Sequence, residues 1–159
     1  MKIVLQRVSE ASVSIDGKAI GVIESGLVLF LCIEKGDSEA MAERYAGKIA
    51  SLRIFEDEAG KMNRSILETG GKAMLISQFT LAANVERGRR PSFDGAAPPD
   101  VARPLYESFA QKLRGKGVPV VTGTFQADMK VSLINDGPVT LILNSDRSSL
   151  DHGKVQEAV

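Results

Sequence analysis

Lys72–Phe93 reads KAMLISQFTLAANVERGRRPSF, and the rest of the chain is organised around it. Ala73 to Ile76 is an apolar run of the length of a buried strand. It stops at Ser77-Gln78-Phe79-Thr80, where three polar side chains and one aromatic replace the aliphatics. A basic loop follows, with Arg87, Arg89 and Arg90 around Gly88, and then Pro91. On the residues alone two readings stand. One is a strand end that caps itself with hydroxyls, followed by a solvated loop. The other is a site for a phosphate-bearing substrate, since hydroxyls, an amide and arginines beside a buried strand are the groups that bind one.

Working outward, Val118–Gly123, Val131–Ile134 and Val139–Leu143 read as strands, with Phe125–Lys130 a turn or strand entry. A helix is expected over about Asp100–Arg114, with Val101, Leu105, Phe109 and Leu113 as its apolar stripe. Toward the N-terminus, Leu27–Ile33 is nearly all apolar and suits a central strand. Gly36-Asp37-Ser38 ends it and supplies an N-cap for a helix over about Glu39–Ser51, with Met41, Tyr45, Lys48/Ile49 and Leu52 inward. Leu52–Phe55 reads as a short strand and Met62–Gly71 as irregular. Met1–Val8 and Ala11–Ile15 read as two strands, the second turning at Asp16-Gly17 into Lys18–Ile23. Arg7 falls on an apolar face of the first and needs a buried acceptor. Many strands with two helices and no regular strand–helix alternation predict an α+β fold with a mostly antiparallel sheet. Residues 1–145 form one domain in this reading, and 146–159 a polar tail.

Composition bounds the function. The 159 residues are 43% hydrophobic and 25% charged, with a formal net charge of zero. No global field draws in nucleic acid, so RNA contact falls to the Arg87–Arg90 patch. A single cysteine, Cys32, excludes an intramolecular disulfide and a Cys-cluster metal site, and its apolar neighbours make it a packing residue. No stretch is long enough for a membrane helix and no signal-peptide pattern opens the chain, which therefore reads as cytoplasmic. No Gly-rich turn suggests a Rossmann or P-loop site.

An enzyme built from this sequence works largely without acid–base side chains. The sole histidine, His152, lies in the polar tail, and nothing there holds Asp146, Ser148 and His152 as a triad. Glu56-Asp57-Glu58 reads as a solvated turn and not a metal site. What remains is hydroxyls, amides and backbone N–H groups, and amides at a strand tip can hold an oxyanion. Phe79 and Thr80 are the candidates, with the Phe79 ring free to stack on a base. A second candidate is Asn135-Asp136-Gly137-Pro138-Val139-Thr140, because proline between two apolar strand runs marks a break. Only about 5–6% of X–Pro bonds are cis, so the residues alone favour a trans turn.

SQFT at Ser77–Thr80, GRRPSF at Gly88–Phe93 and NDGPVT at Asn135–Thr140 together resemble the D-aminoacyl-tRNA deacylase family. LQRVSEASVSIDGK from Leu5, LRIFEDEAGKMN from Leu52 and ADMKVSLINDGP from Ala127 support the likeness, which is collinear from Met1 to about Leu143. The resemblance implies a barrel-like sheet with two principal helices. It implies a homodimer, active sites at the subunit interface, that hydrolyses the ester between a D-amino acid and the tRNA 3′ adenosine, without cofactor or metal. Ser77, Gln78, Phe79 and Thr80 match the motif around the ester, with Arg87, Arg89 and Arg90 as the RNA-contacting candidates. Thr80 is then either a nucleophile or a bystander to attack by water aided by the RNA 2′-hydroxyl. The absence of a base favours the latter. Gly137–Pro138 matches a Gly-cisPro motif that one subunit inserts into the other's site, where its carbonyls fix the substrate ammonium and exclude an L side chain. Arg7 and Met129 match positions supporting that pocket. Glycine has no side chain to exclude, so glycyl-tRNA, including glycine mischarged on tRNA(Ala), is expected to be a substrate. Cys32 and Arg64 depart from the family pattern outside its motifs. The competing readings are a non-catalytic RNA-binding module and a structural dimer.

Overall fold

The computed structural model describes residues 1–86 and 88–145. Arg87 and residues 146–159, with Asp146, Ser148 and His152, lie outside the described residues. The first strand, β1 (Lys2–Ile15), organises the sheet. Its Lys2–Val8 half pairs antiparallel with β3 (Gly26–Cys32), and its Ala11–Ile15 half with β2 (Lys18–Ile23). One strand stands where two were expected. Ser9 and Glu10 are exposed and polar, but β8 (Lys130–Asn144) runs beside them and keeps the backbone paired, Glu10 opposite Ile134. Asp16 and Gly17 take φ of 49° and 76°, the left-handed pair that a tight hairpin turn needs.

After β3 the chain forms α1 (Glu39–Ser51), as expected, with the Ser38 side chain accepting from the Met41 N–H. Its buried residues are Met41, Ala42, Tyr45, Ala46, Ile49 and Ala50, while Lys48 turns to solvent. A two-stranded ribbon, β4 (Phe55–Glu56) and β5 (Met62–Arg64), replaces the expected strand at Leu52–Phe55. The segment read as irregular contains α2 (Ile66–Thr69), closed by a reciprocal capping box between Ser65 and Glu68. The run at Ala73–Ile76 is the centre of β6 (Lys72–Ser77), which pairs parallel with β3 on one side and with β7 (Val120–Thr122) on the other. α3 (Pro99–Gly115) joins β6 to β7. Val101 is 51% exposed, so the inward stripe of α3 starts one residue later, at Ala102, and continues through Leu105, Tyr106, Phe109 and Leu113.

The fold is α+β. Antiparallel pairs predominate, and the two parallel pairs follow from the crossovers through α1 and α3. The sheet curls until β2 meets β7. A Cβ on Gly21 would lie 2.5 Å from Val121 Cγ1, so only glycine permits that approach. Two cores result. The larger lies between the sheet and the helices and contains Phe109, Leu5, Leu29 and Leu75; burial of each such side chain contributes about 1.5–3 kcal/mol. The smaller fills the curl with Val8, Val13, Val28, Met74 and Ile76, and Met129 packs on it. Among the described residues no helix is long and apolar enough to cross a membrane.

Candidate active site

β3 and β6 end side by side, Leu31 opposite Ser77. The Gln78 N–H donates to the Leu31 carbonyl at 2.8 Å. The chain then leaves the sheet as a single 3-10 turn, Phe79–Ala82. This is where the apolar sequence runs out, so the polar tip follows directly from the length of the buried strand. The first N–H groups of such a turn have no acceptor within it, and those of Phe79 and Thr80 come first. From below, the Cys32 sulfur lies 3.6 Å from the carbonyl oxygens of both Phe79 and Ile33, so its one S–H is shared between them. Burial pushes that thiol up to about 11, so it stays protonated. From α3, the buried Tyr106 hydroxyl donates to the Leu75 carbonyl at 2.7 Å, two residues before Ser77.

Phe79 is 56% exposed, and its ring meets Phe93 edge to face, with centroids 5.1 Å apart. The Gln78 side-chain amide donates to the Thr80 hydroxyl. Among the described residues no basic side chain is hydrogen-bonded to that hydroxyl. Beside this tip opens a cleft of about 680 Å³, lined by Ser77, Gln78, Phe79 and Phe93, by Ala96, Ala97, Pro99 and Ala102 at and just before the start of α3, and by the Phe125–Met129 loop with Val131. Its walls are mainly apolar. Asp128 on its rim forms a solvent-exposed ion pair with Lys130, Nζ to Oδ1 at 3.0 Å.

Four sequence candidates therefore line the cleft or its mouth: Ser77, Gln78, Phe79 and Met129, with Thr80 next in the turn. Arg89 and Arg90 are exposed on a loop closed by the mutual backbone bonds of Asn84 and Ser92, and neither lines the cleft. Arg87 is outside the described residues. Phe125 and Gln126 were missed. Their loop is placed by the pairing of β7 with β6, and locally by Arg103, which lies 5.1 Å over the Phe125 ring and donates to Gln126 Oε1 at 3.1 Å. The left-handed φ of 66° at Gln126 carries no signal in its residue type.

Arg7, Gly137 and Pro138 do not line their own chain's cleft; they form a second cluster. Between the pairs Gln6–Thr140 and Val8–Asn135, Arg7 alone stands opposite four residues of β8, Asp136 to Val139. The proline therefore sits in a bulge of an otherwise continuous strand, not at a break. Arg7 is buried, and its guanidinium turns into that bulge. Nε donates to the Asp136 carbonyl at 2.9 Å and Nη1 to the Ile54 carbonyl at 2.7 Å. The carboxylates of Glu56 and Asp136 lie 3.5 and 3.6 Å away. The acceptor required by its burial is thus the carbonyl one residue before Gly137. The Gly137–Pro138 peptide is cis, against the trans turn favoured by the residues alone. The trans preference before proline is only about 0.5–1 kcal/mol, small enough for the bulge to decide it. Gly137 and Pro138 are exposed at the tip.

The model of the family described as D-Tyr-tRNA(Tyr) deacylase matches residues 4–144. The D-aminoacyl-tRNA deacylase of Geobacter metallireducens is 57% identical over 149 residues, covering 94% of this chain and 99% of its own. That of Thermomicrobium roseum is 59% identical over 145 residues, 91% and 94% of the two chains. Among solved structures, the c-Myc DNA unwinding element binding protein superimposes with a TM-score of 0.85 at 39% identity over 92% of this chain and 99% of that one. A chain described as a "probable eukaryotic D-amino acid tRNA deacylase" gives 0.77 at 17% identity over 89% and 97%, a likeness of fold alone.

Proposed function

From its membership of the D-Tyr-tRNA(Tyr) deacylase family, which makes this chain a D-aminoacyl-tRNA deacylase, we propose that it cleaves the D-aminoacyl ester at the Ser77–Thr80 tip and rejects L-aminoacyl esters with the Gly137–Pro138 bulge of a second subunit. The observation that carries this reading is the separation of the two motifs. The proposed catalytic tip opens on a cleft, while the bulge lines no part of that cleft and is exposed to solvent. A homodimer that seats each bulge in the other chain's cleft uses both. Residues 1–145 act as the single deacylase domain, in the cytoplasm, on the aminoacylated 3′ end of tRNA. Arg87, Arg89 and Arg90 meet its phosphates, as forked donors suit.

In this reaction water adds to the ester carbonyl carbon, the acyl–oxygen bond breaks, and the proton passes to the departing ribose oxygen. The N–H groups of Phe79 and Thr80 hold the developing oxyanion, a contribution of about 10²–10³ per donor where one has been removed. The Phe79 ring stacks on the terminal base, worth about 1–3 kcal/mol. In this reading Thr80 is a bystander and not the nucleophile, which is supported by its hydroxyl accepting from the Gln78 amide with no base beside it among the described residues. The 2′-hydroxyl of the RNA helps to move the proton. Gly137 and Pro138 present carbonyls to the substrate ammonium, Arg7 supports them, and Met129 shapes the wall. An L side chain then runs into the bulge, a D side chain points out, and glycine has neither.

The test is deacylation of D-tyrosyl-, L-tyrosyl- and glycyl-tRNA by the wild type and Thr80→Ala. The D and glycyl esters, including glycyl-tRNA(Ala), are expected to be cleaved and the L ester spared. Thr80→Ala should stay within about tenfold of the wild type, whereas loss of a nucleophile costs upwards of about 10⁴. A resistant glycyl ester beside a cleaved D ester would refute selection by exclusion. Binding of tRNA without turnover would leave an RNA-binding module.

A further inference from the structure

The bulge on β8 has two legs, and Arg7 braces only the one at Asp136. The other leg returns to the sheet at Val139, which has no one-to-one partner in the β1–β8 ladder. One side chain meets both its N–H and its carbonyl. Asn135 Oδ1 accepts from the Val139 N–H at 2.7 Å. Its Nδ2 donates to the Thr140 hydroxyl at 3.0 Å and, at a longer 3.4 Å, to the Val139 carbonyl. The Thr140 hydroxyl also accepts from Gln6 Nε2 at 3.2 Å, which ties the same point to β1. Val139 is 6% exposed, so its N–H would otherwise be an expensive orphan. A carboxamide carries one acceptor and one donor group on adjacent atoms, as a backbone peptide does. Asn135 thus serves as the strand partner that the bulge has pushed away. Aspartate at this position offers only the acceptor half.

We propose that Asn135 is a positioning residue for stereoselection, its carboxamide closing the base of the bulge and thereby fixing where Gly137 and Pro138 stand. This rests on the reading that the bulge rejects L esters. The role is separate from simple stabilisation, because the groups it joins border the exposed tip and not the main core.

The experiment measures kcat/KM on D-tyrosyl- and L-tyrosyl-tRNA, together with the thermal midpoint, for the wild type, Asn135→Ala, Asn135→Asp and Thr140→Val, with Gly137→Ala as the reference for a damaged tip. Asn135→Ala is expected to raise the L:D ratio by roughly tenfold or more, at temperatures well below its midpoint. Asn135→Asp, which keeps the bond from the Val139 N–H, should fall between it and the wild type. An unchanged ratio in Asn135→Ala beside a raised one in Gly137→Ala overturns the role of Asn135. Unchanged ratios in both overturn the bulge as the filter. Should Asn135→Ala not fold, Asn135→Asp and Thr140→Val decide in the same way: a raised ratio supports the role and an unchanged one overturns it.

Discussion

Arg7→Ala is expected to lower the free energy of unfolding by about 2–4 kcal/mol, the largest loss of stability from any single change at the bulge. Arg7 is 3% exposed and sits at the only β1 position facing the extruded residues. Its removal leaves the carbonyls of Ile54 and Asp136 without their donors and opens a space along the aliphatic stem. The carboxylates of Glu56 and Asp136 matter less. They are 59% and 56% exposed and return to water, so Glu56→Gln should cost under about 1 kcal/mol. Lysine cannot point donors at two carbonyls and two carboxylates at once, and Arg7→Lys should recover only part of the loss. The urea midpoint checks this. A shift in Arg7→Ala no larger than that of Glu56→Gln would mean that the buried guanidinium contributes nothing net. The same variant should discriminate poorly between D and L esters, since the inner leg of the bulge has lost its brace.

Gly137→Ala reverses the balance, with a small change in stability and a large one in selectivity. Gly137 has a φ of 130°, where a residue with a side chain is strained by roughly 1–3 kcal/mol. The added Cβ would also lie 2.8 Å from Val139 Cγ2, 3.0 Å from Arg7 Nη2 and 3.2 Å from the Val139 nitrogen. Two of these neighbours are fixed, the backbone atom by chain geometry and the guanidinium by its bonds, so the tip must move. It is exposed and can do so without opening the core. The melting temperature should therefore hold within a few degrees, while discrimination against L-tyrosyl-tRNA falls by about 10², the penalty typical of a contact misplaced by about an ångström. Single-turnover hydrolysis of both esters provides the check. Wild-type discrimination in a folded Gly137→Ala would remove the bulge from the selection.

Much of this was written in the chain in short-range form. The alternation over Ala11–Ile15, the Ser38 cap and the inward Met41, Tyr45 and Ile49 of α1, and the apolar stop at Ser77 each depend on a few neighbours, and each appears where the residues put it. The capping box at Ser65–Glu68 was equally visible but encloses only four helical residues, too short for a periodic stripe. Features that depend on distant pairing were not legible. Ser9-Glu10 looks like a break until β8 is beside it. The proline of β8 looks like an end until Arg7 and Asn135 are seen holding both legs of the bulge. Phe125 and Gln126 enter the cleft wall only because β7 pairs with β6. Arg7 lies between these cases. Its apolar surroundings announced that it needed an acceptor, but not which carbonyl, because Ile54 and Asp136 are 47 and 129 residues away along the chain.

The pairing of β1 with β8 also fixes an order of events on the ribosome. β1 emerges first among the described elements and β8 last, yet they share eleven paired positions. A nascent chain can form the hairpin of β1 and β2 and add β3, because those contacts are local, but one flank of β1 stays open until nearly the whole polypeptide has been made. The Ser77–Thr80 tip after β6, proposed to cleave the ester, is translated well before the bulge proposed to select its substrate. A product cut short between them would carry the tip proposed to cleave the ester and none of the groups proposed to choose its hand. The long unpaired edge of β1 in such a fragment marks it for aggregation or degradation, so on the proposed roles the fold would discourage an unselective esterase.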